Sequence, residues 1–263
     1  MARAKISVII PTLNEQDNLP HVLPRIPPDV DEVILVDGRS TDRTVEVARE
    51  LIPTIRVVME ARPGKGAALR AGFAAATGDI IVMLDADGST DPGEIPTFLA
   101  ALHGGADFVK GSRFLPGGGT IDMPFYRRAG NEAFILCVRV LFGARFTDLC
   151  YGYNAFWRDV LPILDLDGDG FEIETMMNVR ALRAGFLVTE VPSYEAARVY
   201  GQSRLRTIPD GWRVLRTIIR ERRRPMPAVV RETHVMGRQL TPIPIVVETE
   251  LQGIEETRAR SLT

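Results

Sequence analysis

Two aspartates one residue apart, Asp85-Ala86-Asp87, directly follow the apolar run Ile80-Ile81-Val82-Met83-Leu84. Carboxylate oxygens are hard ligands, and Mg2+ or Mn2+ is commonly shared between one or two carboxylates and the phosphates of a substrate. Such a cation acts as a Lewis acid and offsets charge on a departing diphosphate. The same triplet in a surface turn would mean little. Behind a buried strand, both carboxylates are delivered to one place. Other polar groups also sit where apolar runs stop: Asn14-Glu15 beyond Ile6–Ile10 and Pro11, and Asp37 after Val33–Val36. The basic residues include only three lysines, Lys5, Lys65 and Lys110, while arginines crowd the stretch from Arg198 to Arg224. The guanidinium fork suits bidentate phosphate binding.

The elements that must position these groups alternate. Apolar runs at Ile6–Ile10, Val33–Val36, Ile55–Met59, Ile80–Leu84 and Asp107–Gly111 read as strands. Between them, Ser40-Thr41-Asp42 offers N-caps for a helix reaching Leu51, and Gly66–Ala76 is an alanine- and leucine-rich helix stopped by Gly78. Strand–helix alternation predicts βαβ units and a central, mainly parallel sheet flanked by helices, with ligands beyond the carboxyl ends of the strands. Further on, the sequence predicts helices over Pro124–Leu141, Phe171–Ala184 and Thr207–Arg223, a strand over Val188–Val191, and mixed strand and turn over Phe146–Trp157. The last helix has Ile208, Trp212, Leu215 and Ile219 on one face. Prolines at 225, 227, 242 and 244 break the pattern beyond Arg224. The expected division is a catalytic domain over 1–224 and a C-terminal tail over 225–263.

The order and spacing of four motifs resemble the family-2 glycosyltransferases. They are Ile6-Ser-Val-Ile-Ile-Pro-Thr-Leu-Asn-Glu15, Asp37-Gly-Arg-Ser-Thr-Asp42-Arg-Thr44, Gly64-Lys65-Gly66 and Leu84-Asp-Ala-Asp87. Downstream, Gly111-Ser112-Arg113-Phe114, Arg127-Arg128-Ala129-Gly130-Asn131, Thr147-Asp148 and Gly201-Gln-Ser203-Arg204-Leu205 are similar to the dolichol or polyprenyl-phosphate mannose or glucose synthase branch, without its membrane helices. The resemblance implies an α/β, glycosyltransferase A-type (Rossmann-like) fold and a nucleotide diphosphate sugar donor. It implies that Pro11, Leu13, Glu15 and Asp37 surround the nucleoside, with Lys65 near the base or diphosphate. Asp85, Ala86 and Asp87 would meet the sugar nucleotide, with Asp85 and Asp87 on the metal. Arg113, Arg127, Arg128, Asn131, Ser203 and Arg204 would bind acceptor phosphate. Asp87, Arg113, Arg128, Arg204 and Glu174 form the expected catalytic set. Three positions depart from the family pattern: Gly38 follows a lone Asp37, Ser89 stands where many mannose synthases have glutamine, and Arg204 replaces a lysine.

The expected reaction is an inverting transfer of a hexose to a phosphate-bearing acceptor such as polyprenyl phosphate. A phosphate monoester is ionised near neutral pH, its second pKa being around 6, and needs positioning more than a base. A hydroxyl acceptor needs a carboxylate base, for which Glu172, Glu174 and Asp148 are the candidates. A soluble small-molecule hydroxyl or phosphate acceptor is the alternative. A sugar nucleotidyltransferase or nucleotide-sugar-binding regulator is disfavoured, because Pro11-Thr-Leu-Asn-Glu15 occupies the place of a glycine- and arginine-rich loop.

Among 263 residues, 45 % are hydrophobic and 25 % charged, as in a globular protein. The net charge of −2 argues against a nucleic-acid binder. Cys137 and Cys150 have no metal-ligand or disulfide pattern, the N-terminus lacks a signal peptide's layout, and no window approaches a membrane span. The expectation is a cytoplasmic protein. Peripheral contact at the inner membrane face is left open by the arginine-rich helix, and a homodimer is left open too.

Overall fold

Val8 and Ile10 point to one side of the strand that carries them and Ile9 to the other, the period-two signature of a strand buried on both faces. The computed structural model describes residues 3–121 and 123–225. In chain order its elements are β1 (Ile6–Thr12), α1 (Leu19–Val22), β2 (Glu32–Asp37), α2 (Thr44–Leu51), β3 (Arg56–Met59), α3 (Lys65–Ala75), β4 (Ile80–Met83), α4 (Ile95–His103) and β5 (Phe108–Ser112). There follow β6 (Gly119–Thr120), α5 (Phe125–Phe142), β7 (Asn154–Trp157), α6 (Leu161–Leu164), α7 (Glu172–Arg183), β8 (Val188–Pro192), β9 (Tyr194–Glu195) and α8 (Thr207–Arg223). The tail expected over 225–263 lies, apart from Pro225, outside the described residues.

Seven strands form one sheet in the order β3-β2-β1-β4-β7-β5-β8. β1, β2, β3 and β4 run parallel, as the strand–helix alternation predicts. β7 is antiparallel to both of its neighbours. That reversal matters for function. Asn154, its first residue, lies opposite Met83 and Lys110 near the ends of β4 and β5. The loop preceding β7 therefore emerges at the same edge as the carboxyl ends of the parallel strands. β6 and β9 make a separate two-stranded ribbon.

One face of the sheet is covered by Leu19 and Val22 of α1, Ala48 of α2 and Phe98 and Leu102 of α4. The other is covered by Leu69 and Phe73 of α3 and by Ile173 and Met177 of α7. Gly72 lets α3 approach closely: a Cβ there would lie 2.4 Å from Ile9 Cγ2. A third cluster joins Val138 of α5, Val179 of α7 and Val214 and Ile218 of α8.

In α8 the apolar stripe read from the sequence turns outward. The stripe Ile208, Trp212, Leu215, Ile219 does not face the core. Ile208 and Trp212 are 83 % and 68 % exposed, and the buried face is Val214, Thr217, Ile218 and Glu221. Glu221 can sit in that buried face because Arg180 of α7 reaches across to it at 2.8 Å.

Candidate active site

The carboxyl ends of β1, β2 and β4, the amino ends of α3, α5, α7 and α8, and the segment after β9 enclose a cavity of about 860 Å3. Pro11, Leu13, Glu15, Lys65, Asp85, Ala86, Asp87, Arg113, Arg127, Asn131, Glu174, Ser203 and Arg204 all line it. Asp37 sits just behind this lining, 1 % exposed. One of its oxygens accepts the Ser40 N–H at 2.9 Å, while Oδ1 is buried with no hydrogen-bond partner among the described residues. Arg128 does not line the cavity. It pairs with Glu132 one turn along α5 and lies over the Phe114 ring. Of the two adjacent arginines, the one turned into the cavity is Arg127.

Lys65, at the first turn of α3, is wedged between Asp85 Oδ1 at 2.5 Å and Glu174 Oε1 at 2.6 Å. Burial alone would push its ammonium down, but the two carboxylates outweigh burial and hold it above the ordinary lysine range. For Glu174, burial is the larger effect and raises the carboxyl despite Lys65. Gly64 makes this wedge possible. It has φ +114°, and a Cβ would lie 2.1 Å from the Asp169 carbonyl oxygen, so only glycine fits without displacing backbone.

Arg113, at the end of β5, is 6 % exposed and fully engaged. Its Nε and Nη2 donate to the two oxygens of Asp148 at 2.7 and 2.9 Å, and Nη1 donates to Glu195 at 3.0 Å. It also lies over the Tyr151 ring, 4.8 Å from its centroid. Burial works against this charge, but Asp148 and Glu195 more than compensate and raise it further. Asn131 accepts the Leu149 and Cys150 N–H groups, both at 3.1 Å, and its Nδ2 is buried without a hydrogen-bond partner among the described residues. It thus holds the loop before β7 while keeping a donor unspent.

Arg198 was not anticipated as a site residue. It follows β9 in a strap crossing the strand ends, where the Ala196 and Val199 N–H groups donate to the carbonyls of Ser89 and Asp87. Its Nη2 donates to both oxygens of Glu15 at 2.6 Å, and Nη1 donates to Asp87 Oδ2 at 3.1 Å. Tyr200 anchors the far end of the strap through paired contacts with Asn18. The only sequence signal was its place three residues before Gly201, at the edge of the arginine-rich stretch. Arg39, at φ +72° after β2, also lines the cavity unforeseen.

The charges divide sharply. Six carboxylates line the cavity: Glu15, Asp85, Asp87, Glu174, Glu195 and Asp210. Each is in an ion pair, with Arg198, Lys65, Arg198, Lys65, Arg113 and Arg213 respectively. Among the cavity's described cations, Arg39, Arg127 and Arg204 have no carboxylate partner. Arg127 reaches only the Leu205 carbonyl and the Thr207 hydroxyl at 3.4 and 3.5 Å, and Arg204 the Leu13 carbonyl at 3.0 Å. Lys65 and Arg198 each bridge two carboxylates, so the cavity's six carboxylates and six cations balance, and the side chains left free to meet a ligand's charge are arginines. Among the described residues no group of three or more His, Cys, Asp or Glu could hold a metal by itself. Asp87 offers one oxygen bound to Ser89 and one to a displaceable guanidinium, which fits a cation shared with a ligand's phosphates.

Comparisons with known proteins agree with this geometry. A family model described as glycosyl transferase family 2 matches residues 7–161. The chain is 35 % identical over 215 residues to undecaprenyl-phosphate mannosyltransferase of Micrococcus luteus, covering 76 % of this chain and 87 % of that protein. It is 37 % identical over 212 residues to polyprenol monophosphomannose synthase of Mycolicibacterium smegmatis, covering 75 % and 80 %. Among solved structures, glucosyl-3-phosphoglycerate synthase from Mycobacterium tuberculosis, in complex with Mn2+, uridine diphosphate and glucosyl-3-phosphoglycerate, matches with a TM-score of 0.65. That match is 26 % identical and covers 86 % of this chain and 81 % of that one. With the strand-end aspartates, the glycosyltransferase A-type sheet and a family match over more than half its length, the chain belongs to glycosyl transferase family 2.

Proposed function

We propose that this glycosyltransferase moves a hexose from a UDP- or GDP-linked sugar to a phosphate-bearing acceptor, polyprenyl phosphate above all, with inversion at the anomeric carbon. The observation that carries the reading is the pairing of every cavity carboxylate with a cation while three arginines stay unpaired. A hydroxyl acceptor needs a free base. Two of the three bases considered for it are committed: Glu174 to Lys65, and Asp148 to Arg113. The third, Glu172, accepts the Gly170 N–H and does not line the cavity. A phosphate acceptor arrives ionised and needs cations instead.

In this reading the unpaired Asp37 Oδ1 accepts an N–H of the donor's base. Lys65 holds Asp85 in place against the donor. Asp87, once released by Arg198, would hold a divalent cation, Mg2+ or Mn2+, shared with the donor's phosphates. When bound, that cation supplies Lewis-acid stabilisation of the leaving group. Arg127, Arg204 and the released Arg198 neutralise and orient the acceptor phosphate, whose oxygen attacks the anomeric carbon as the bond to the diphosphate breaks. Holding both reactants in line is the main contribution of these side chains. Two relatives of this chain carry polyprenyl-phosphate activities in their names, which supports the lipid acceptor.

The solved relative bound to a phosphoglycerate product favours a second reading, a small soluble phosphate acceptor. The two are separated by incubating the protein with radiolabelled UDP- and GDP-sugars, Mn2+, and either undecaprenyl phosphate in detergent or 3-phosphoglycerate. A butanol-extractable, acid-labile product is expected. Label transfer to phosphoglycerate alone would establish the second reading, and transfer to neither would remove both.

A further inference from the structure

Lys110, in the middle of β5, is 0 % exposed. By strand alternation it shares a face with Phe108, which packs in one cluster with Ile173 and Met177 of α7. Its ammonium donates to the Tyr151 carbonyl at 2.9 Å and forms no ion pair among the described residues. Asp148, Glu174 and Glu190 act on it only from a distance, because each is spent elsewhere. Asp148 pairs with Arg113, Glu174 with Lys65, and Glu190 accepts the Thr147 and Asp148 N–H groups. Burial outweighs their pull, with Arg113 adding repulsion, and holds the ammonium below the ordinary lysine range. A buried charge without a paired counter-charge destabilises a fold. Such breaches of the local rules are expected at functional sites.

What Lys110 grips is the loop that precedes the reversed strand β7. Neutral side chains hold much of that backbone: Asn131 accepts from Leu149 and Cys150, and Asn178 donates to the Leu149 carbonyl at 3.2 Å. Among the described residues, the one loop carbonyl given a charged donor is that of Tyr151. Charge-assisted hydrogen bonds are roughly twice as strong as neutral ones. The Tyr151–Gly152 peptide is also where placement is tightest. A Cβ on Gly152 would lie 2.7 Å from both Lys65 Nζ and Glu174 Oε1, and 3.0 Å from Asp85 Oδ2. The Tyr151 ring lies under the Arg113 guanidinium, and its hydroxyl meets Ser193 Oγ at 3.0 Å. One peptide unit therefore abuts the wedge on the donor side and carries the ring beneath Arg113.

We propose that Lys110 is a positioning residue for the transfer: its hold on the Tyr151 carbonyl fixes Gly152 against the Lys65–Asp85–Glu174 wedge and the Tyr151 ring under Arg113. Lys110 does not line the cavity and acts through this loop alone. The inference rests on the proposed function for the reaction that it serves. A 1 Å misplacement of reacting groups can cost about a hundredfold in rate, which gives a buried strut of this kind its leverage.

Lys110→Met keeps most of the side chain's length and removes its donor and charge. Because an unpaired buried charge goes with it, the urea midpoint should stay at or above that of the wild type. Turnover is measured with radiolabelled UDP- and GDP-sugars, Mn2+, and undecaprenyl phosphate or 3-phosphoglycerate. The kcat per folded molecule should fall at least tenfold while KM for the donor changes less than threefold. Hydrogen exchange supplies a readout free of turnover. The Leu149 and Cys150 amides should exchange at least tenfold faster in the variant, and those of α4, across the sheet, at the wild-type rate. An unchanged kcat would overturn the proposal, as would a loss of kcat that tracks a lowered urea midpoint, the mark of a purely structural side chain. Unchanged exchange in the loop would overturn it too. If the wild type transfers to neither acceptor, the proposed function fails, and the exchange rates alone decide whether Lys110 sets the loop.

Discussion

A lysine ammonium held between buried Glu174 and partly exposed Asp85 is costly to remove on its own. Lys65→Met leaves Asp85 and Glu174 facing each other with no cation between them. Breaking a buried pair in this way costs about 3 to 5 kcal/mol, so urea denaturation of that variant should show a midpoint shift of that order. Full recovery of stability in Lys65→Met/Glu174→Gln would fit the electrostatic cause. Arg198→Ala is expected to act differently. It frees partly exposed Asp87 and buried Glu15, which keeps the Asn18 amide as a donor, so stability should fall by less than in Lys65→Met while turnover falls at least tenfold; near-normal turnover would remove Arg198 from the site. Burial pushes the Cys150 thiol up to about 12. Iodoacetamide at pH 8 should therefore label Cys150 in the native protein far more slowly than in urea, as peptide mass mapping would show. Residue types at strand ends were legible because Asp85, Asp87 and Asp37 sit next to the runs that bury them. Their partners were not. Lys65 meets a carboxylate 109 positions away, Arg198 one 183 away and Arg113 one 35 away, and no local pattern encodes such pairings.

Elements repeat the lesson one scale up. The strands before Asp37 and Asp85 announce themselves as short β-branched runs, and all five apolar runs of the first half became strands. β7 could not be placed from its own residues. Its antiparallel insertion between β4 and β5 depends on pairings with Met83 and Lys110 far away in sequence, yet it is what brings Asp148 to Arg113. In α8, periodicity revealed a stripe but not its direction, because Glu221 is buried by an arginine on a different helix. At the α3 entry, Gly64→Ala should destabilise by more than about 2 kcal/mol, combining a disfavoured positive φ with a backbone clash. Differential scanning calorimetry would measure it, and a variant as stable as wild type would contradict the close approach to Asp169.

For the whole molecule, the sheet order sets three strand ends, a reversed strand and a strap around one cavity whose carboxylates are spoken for and whose spare charges are arginines. In the proposed function such a vessel would take a nucleotide diphosphate and a phosphate, with one more cation where Arg198 touches Asp87. The most direct test of that claim is calorimetric titration of UDP- and GDP-sugars into wild type and Asp87→Ala, each with and without Mn2+. The account predicts that one nucleotide series binds wild type at least tenfold more tightly with Mn2+, and that Asp87→Ala, still folded, loses this enhancement. Binding of equal strength with and without the ion, or an Asp87→Ala variant that keeps the full enhancement, would contradict it.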